Sequence, residues 1–328
     1  MTDINSDIDD YIGFYTNNHF WVGERLDWDD ELHLKLLRAP IVPEIRFTYD
    51  GPDFKAAVTI DGLILLHIKR LAAKVPKIGH PESFTKAVQW WDEYLDCIHS
   101  LQILIESATI AEGLHNKVTA CEITSVQTCT VGMFGWEPQR RAESRGQNNL
   151  SVRFDTLRWI LLRDGPPTPE VLDTRSFNYA VLQVGLLSKI FAQFSHVAQN
   201  RNTLTWLSFL TRAKSAYERG DFRIAFLHAW FVIESVCRKM FDEHGPTHSR
   251  GKNLKSVETY LLEHGFLSPT IGEAMSKLRK KRNELTHEPG SAVCMPSDAY
   301  ATNEIALQLI GQYFPFPLIT TLTHSLSY

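Results

Sequence analysis

From Thr203 onward the chain is divided into helix-sized lengths by its own punctuation, and this constrains the fold more than any other feature of the sequence. Thr203 to Glu218 has helical spacing and closes on Arg219-Gly220. Asp221 is a good N-cap for Phe222 to Phe241, whose apolar face is Phe222, Phe226, Trp230, Ile233, Cys237 and Met240. Leu254 to Glu263 ends at His264-Gly265, a glycine stop of the kind that accepts a left-handed residue after the last turn. Ser268 and Pro269 open the next helix, with Ile271, Met275, Leu278 and Leu285 on one face. Pro289-Gly290 ends it, because a proline pushes the preceding residue out of the α region, and the helix should stop between Thr286 and Glu288. Asp298 to Tyr313 forms the last helix, with Thr302, Ile305, Leu309 and Tyr313 inward, before Phe314-Pro315-Phe316-Pro317. Short one-faced helices joined by short loops bury those faces against each other, so residues 201–328 are expected to form an all-α antiparallel helical bundle with a C-terminal tail.

The first 200 residues read differently. Strand signals run over Ile45 to Tyr49, Phe54 to Ile60 and Leu63 to Ile68, separated by Asp50-Gly51-Pro52 and Asp61-Gly62 turns. Residues 82–113 have helical periodicity through Ala87, Trp90, Trp91, Tyr94, Leu95, Ile98, Leu101 and Ile105. Trp90-Trp91 belongs to that helix's packing face more readily than to a ligand platform. Lys117 to Thr130 and Leu150 to Leu162 are rich in strand formers, and Gly135 to Asn149 is a polar loop bearing Arg140, Arg141 and Arg145. Gly165-Pro166-Pro167-Thr168-Pro169 breaks the chain, and a helix is expected from Tyr179 to Ala198. Strands and helices are segregated rather than alternating, which defines an α+β domain over residues 1–200. It contains no glycine-rich phosphate loop and no catalytic serine or cysteine motif.

Charge separates the two parts. Residues 1–200 hold 19 Lys and Arg against 26 Asp and Glu, whereas residues 201–328 hold 15 against 12, so a polyanion is expected to meet the C-terminal part. The five cysteines (Cys97, Cys121, Cys129, Cys237, Cys294) are scattered, with no C-x-x-C pair and no zinc-site spacing, as expected of unpaired thiols in a reducing compartment. Met1 to Asp7 is acidic and polar, unlike a signal peptide, and no apolar run approaches the roughly 18 residues that span a bilayer. A cytoplasmic protein with no membrane contact is the expectation.

Arg282 falls on the apolar stripe of the fourth helix, four residues after Leu278 and three before Leu285. A guanidinium cannot shed its charge, so it needs a carboxylate, a carbonyl or a phosphate. His287 follows where the helix is forced to end, and Lys277, Arg279, Lys280 and Lys281 add positive charge. Spacing alone is weak evidence. With 19 arginines and 13 histidines about one such pair arises by chance, and Arg223 with His228 is another. That second pair lies inside a regular helix, where five residues place it about 140° apart. Arg282 and His287 differ in straddling a helix end, where the chain can bring them together.

Residues 201–314, with Arg282-Asn283-Glu284-Leu285-Thr286-His287 near the end of the fourth helix, resemble a HEPN domain. The family signature is an arginine, usually followed by a polar residue, and a histidine four to six residues further on. Phe226-Leu227-His228-Ala229-Trp230-Phe231-Val232-Ile233-Glu234, a glutamate within an apolar run, resembles the family's earlier helix. An N-terminal part followed by such a domain is similar in arrangement to the ApeA-like group of bacterial anti-phage HEPN proteins. The resemblance implies a metal-independent endoribonuclease without cofactors, acting in anti-phage defence or toxin-type growth arrest. It also implies a homodimer in which two motifs face one RNA, with a phage or regulatory trigger bound by residues 1–200. The RNA 2′-hydroxyl would attack the adjacent phosphate with His287 as general base or acid, Arg282 stabilising developing charge and Asn283 orienting the phosphate or the histidine. Lys277, Arg279, Lys280 and Lys281 would track the RNA, and Glu234 would support Arg282. Where some family members carry a tyrosine two residues after the histidine, the target of an adenylylating antitoxin, this chain has Pro289, a departure that speaks against such control. The rival expectations are a HEPN module that binds nucleic acid or a protein without cutting, and a helical adaptor in which Arg282 is a core ion pair.

Overall fold

The computed structural model describes residues 9–16, 20–24, 45–60, 62–75, 81–114, 118–133, 180–246, 253–288, 290 and 292–322. The loop expected over Gly135 to Asn149, the strand-rich piece Leu150 to Leu162 and the break at Gly165 to Pro169 lie outside the described residues. The chain divides into two compact units, one of Met1–Thr119 with Ile123–Arg201 and one of Ala120–Glu122 with Asn202–Tyr328.

The first unit is built on an antiparallel sheet. Its strands are β1 (Asp9–Phe14), β3 (Ile45–Asp50), β4 (Phe54–Thr59), β5 (Ile64–Ile68) and β6 (Cys129–Met133), in the order β3-β4-β5-β1-β6. A separate parallel pair joins β2 (Phe20–Val22) to β7 (Ala180–Leu182). The three strands expected between Ile45 and Ile68 are present, and β5 is buried throughout. Short α1 (Lys69–Ala72) follows, then the expected long helix, α2 (Pro81–Ala111). The Tyr94 hydroxyl donates to the Leu66 carbonyl at 2.5 Å and accepts from the Ile68 amide at 3.3 Å, fixing α2 against β5. Trp90 is a packing residue whose indole N–H donates to the Leu71 carbonyl at 2.8 Å.

Two expectations for this unit change. The helix placed from Tyr179 begins at Val184 instead, as α3 (Val184–Ala198), because Ala180–Leu182 pairs in register with Phe20–Val22. Within Lys117 to Thr130 the strand starts only at Cys129, after a 3₁₀ turn at Ser125–Gln127. α3 lays Phe191 on Phe47 (centroids 5.2 Å) and Phe194 edge-on to Phe54 (4.9 Å), covering the β3–β4 part of the sheet.

The β4–β5 turn shows why a glycine sits where the sequence has one. Gly62 holds φ at +80°, and a Cβ there would lie 2.5 Å from the Phe20 carbonyl oxygen. Gly62→Ala is therefore expected to destabilise by roughly 1–3 kcal/mol from backbone strain alone, with the backbone clash in addition. Gly265→Ala, at φ +74° with no heavy atom within 4 Å of the new Cβ, carries only the strain. Urea unfolding midpoints of the two variants should order accordingly, with Gly62→Ala the lower.

The second unit contains α4 from Asn202 onward (the helix spans Arg201–Glu218), α5 (Phe222–His244), α6 (Leu254–Glu263), α7 (Pro269–His287) and α8 (Pro296–Gly311). The boundaries follow local chemistry. The Asp221 carboxylate accepts from the Ile224 amide at 3.2 Å, Asn253 caps α6, and Ser268 with Pro269 opens α7. α5 continues three residues past the expected Phe241. It is the central helix, packing most extensively on α8 and also on α6 and α7. Phe226, Trp230, Ile233 and Cys237 of α5, Val257 and Leu261 of α6, Met275 of α7 and Leu309 of α8 are essentially inaccessible to solvent. At about 25 cal/mol per Å² of apolar surface, this burial is the main source of the unit's stability.

The C-terminal tail is tied to α4 by a buried charge. The Lys214 side chain is 1% exposed, and its ammonium donates to the Glu218 carboxylate and the Thr321 carbonyl. Removing the Glu218 carboxylate leaves a buried ammonium that keeps its desolvation penalty, whereas removing the ammonium leaves a carboxylate that is 21% exposed and still reaches water. Glu218→Ala is expected to lower stability by about 3 kcal/mol and Lys214→Met by less. Thermal unfolding of the two variants would check the order.

Among the described residues no helix is long and apolar enough to cross a membrane. Cys97, Cys121, Cys237 and Cys294 are free thiols.

Candidate functional site

α7 carries every residue of the expected site except Glu234. Ile271, Met275, Leu278 and Leu285 are buried at helical spacing, as the sequence indicates. Arg282 lies beside the same stripe and is only half-buried, whereas Leu285 one turn further on is buried. Its Nη1 donates to Asn283 Oδ1 at 3.3 Å. The helix ends at His287, with Glu288 leaving the α region at φ −124° and ψ 57°, within the expected stop. Asn283, Thr286 and His287 are exposed. The backbone stays helical through this last turn, where the Thr286 hydroxyl donates back to the Arg282 carbonyl at 2.9 Å.

That regularity corrects one expectation. The helix does not break between Arg282 and His287; both are helical, so the five intervening steps separate them by roughly 140° about the axis. Within one chain the guanidinium and the imidazole leave the helix on different sides. The objection that applies to Arg223 and His228 inside α5 therefore applies here too.

The supporting contacts are also redistributed. Glu234 does not hold Arg282 among the described residues. It accepts from Arg238 at 2.8 Å, one turn along α5, where i,i+4 spacing places the two side chains side by side. Of the cations expected to track RNA, Arg279 is turned inward. Its Nη1 donates to Glu258 Oε2 at 2.6 Å, with the Glu258 side chain 6% exposed, which makes Arg279 a tie between α6 and α7. Burial raises the Glu258 pKa against the lowering effect of Arg279, and the neighbouring charge of Glu234 raises it further. Lys277 pairs with Glu273 at 2.8 Å on the surface. Lys281 pairs with Glu284 at 3.2 Å and donates to the Val293 carbonyl at 3.3 Å. Lys280 and Arg282 remain without an acidic partner among the described residues. The positive charge without an acidic partner among the described residues here is thus Lys280 and the half-buried Arg282, beside an exposed imidazole.

Sequence reasoning missed the other half of the site's surroundings. Arg223, at the start of α5, donates through Nη2 to the carbonyls of Leu285 (3.3 Å) and Ala292 (3.5 Å). His228, its apparent partner by spacing, presents its ring to Phe209, and burial lowers its pKa. Hydrogen bonds across 62 and 69 residues leave no local signature in the sequence. Among the described residues no three His, Cys, Asp or Glu side chains gather as a metal-ligand set.

Neither a family model, nor a curated protein, nor a solved structure matches this chain.

Proposed function

We propose that the second unit is an endoribonuclease of HEPN type that cleaves RNA without a metal. The observation that supports this most is the exposed end of α7. Among the described residues Arg282 and Lys280 stand there without acidic partners, beside Asn283 and an exposed His287 whose imidazole forms no hydrogen bond. Histidine is the side chain whose ordinary range lets it exchange a proton near neutral pH, and a guanidinium supplies the paired donors that phosphate oxygens accept. In the proposed reaction the 2′-hydroxyl attacks the adjacent phosphate, His287 moves the proton, and Arg282 meets the charge that builds on the phosphorane oxygens. Because the two groups diverge around one helix, the working site would join two copies, Arg282 from one and His287 from the other facing a single phosphate. Its biological setting would be anti-phage defence or growth arrest, in the cytoplasm, with residues 1–200 receiving the trigger.

The same divergence favours a second reading, a module that binds nucleic acid or a partner protein without cutting it. One assay separates the two. Purified protein incubated with total RNA in EDTA should yield discrete cleavage products on a denaturing gel. Retention of RNA on the protein with no products would replace the nuclease by the binding module.

A further inference from the structure

The start of α5 and the end of α7 are joined by a set of polar contacts that no core packing requires. Asp221 fixes the first turn of α5 by accepting from the Ile224 amide at 3.2 Å. From that turn the Arg223 guanidinium reaches two carbonyls, Leu285 in the last turn of α7 and Ala292 in the segment that follows. The Phe222 carbonyl accepts from Cys294 Sγ at 3.3 Å, and Lys281 of α7 donates to the Val293 carbonyl at 3.3 Å. The Glu288 amide donates to the Glu284 carbonyl at 2.8 Å, and the Ala292 amide donates to the Glu288 carbonyl at 3.0 Å. Residues 292–294 are thus held from both helices, and Arg223 is the group that spans the helix end and the exit segment together.

We propose that Arg223 is a positioning residue for His287. Leu285 is buried at 3% exposure, which fixes its backbone, and the guanidinium on its carbonyl fixes the direction in which the next two residues continue. The last carbonyls of a helix carry the negative end of its dipole and lack intrahelical partners, so a cation there is favoured. A planar guanidinium bridges two carbonyls in one orientation, whereas a lysine ammonium is a point charge that does not impose it. Arg223 therefore sets the terminus that presents His287, without touching RNA. The catalytic consequence rests on the ribonuclease reading; the structural one does not.

Full-length Arg223→Met and Arg223→Lys proteins test this by two readouts. Hydrogen exchange at the Glu288 and Ala292 amides should quicken at least about tenfold in Arg223→Met, while amides within α6 keep their wild-type rates. Arg223→Lys should fall between the two. In RNA cleavage, kcat should drop about tenfold or more with KM unchanged, because a small misplacement of a catalytic group slows the chemical step more than binding. Partial rescue by lysine should follow. Wild-type exchange rates at Glu288 and Ala292 would overturn the proposal, and so would quickened exchange with an unchanged kcat. Should the wild-type protein fail to cleave RNA, the nuclease reading falls while the exchange comparison still decides whether Arg223 orders this terminus. If Arg223→Met does not fold, Arg223→Lys against wild type gives the same decision.

Discussion

Replacing His287 with alanine is expected to lower EDTA-resistant RNA cleavage by about 10²–10⁴-fold, the range a positioned acid–base group contributes. Arg282→Ala should lose about 10²–10³-fold, comparable to deleting one donor to a developing oxyanion. Neither change should unfold the protein. His287 is exposed at a helix terminus, and the half-buried Arg282 side chain makes, among the described residues, only a 3.3 Å bond to its sequence neighbour. A small shift in melting temperature beside a large loss of activity would therefore separate chemistry from folding. The geometry adds a sharper test. If a phosphate meets Arg282 of one copy and His287 of another, each inactive protein retains the half that the other lacks. Mixing the Arg282→Ala and His287→Ala proteins under conditions that allow subunit exchange should then restore cleavage. Two variants that remain inactive when mixed, with hetero-association demonstrated by tagged pull-down, would rule out a site shared in this way. Full activity in both single variants would remove these residues from the chemistry altogether.

What could be read from the sequence was chemistry confined to a few neighbouring residues. Asp221 caps α5, Ser268 and Pro269 open α7, and Gly265 takes the left-handed conformation after α6, because each of these depends on one turn of backbone. The buried stripe of Ile271, Met275, Leu278 and Leu285 followed from periodicity for the same reason. The errors arose where distant segments compete with local preference. Ala180–Leu182 has a helix-compatible pattern but pairs with Phe20–Val22, a partner 160 residues earlier. Glu234 could have met either Arg238 or Arg282, and the arginine on its own helix won because no chain had to be brought to it. Arg279 looked like part of a basic surface run, and only the crossing of α6 over α7 reveals Glu258 beside it. Which residues share a helix and a face was thus legible, and their long-range partners were not.

The largest effect on stability is expected from Arg279→Met. Glu258 is 5% exposed, its Oε2 bonds Arg279, and its Oε1 is buried with no hydrogen-bond partner among the described residues. Removing the guanidinium leaves a buried carboxylate facing the nearby charge of Glu234, a loss of about 3–5 kcal/mol near neutral pH. The sign of the pH dependence follows from the raised pKa of Glu258. A carboxyl whose folded pKa lies above its unfolded value binds more protons folded than unfolded between the two. Its contribution to stability is therefore fully present below the unfolded value of 4.5 and is lost as pH rises through the folded one. Arg279 opposes that shift, so the methionine variant should move the folded pKa higher and widen the window. Denaturant unfolding from pH 4 to pH 8 should show Arg279→Met near wild type at the acid end and far below it at neutrality. The double variant Glu258→Gln with Arg279→Met should recover most of the difference, since an amide carries no charge to desolvate. A deficit in Arg279→Met that stays constant across pH would assign the loss to packing of the arginine's aliphatic stem, and Glu258 would drop out of the account.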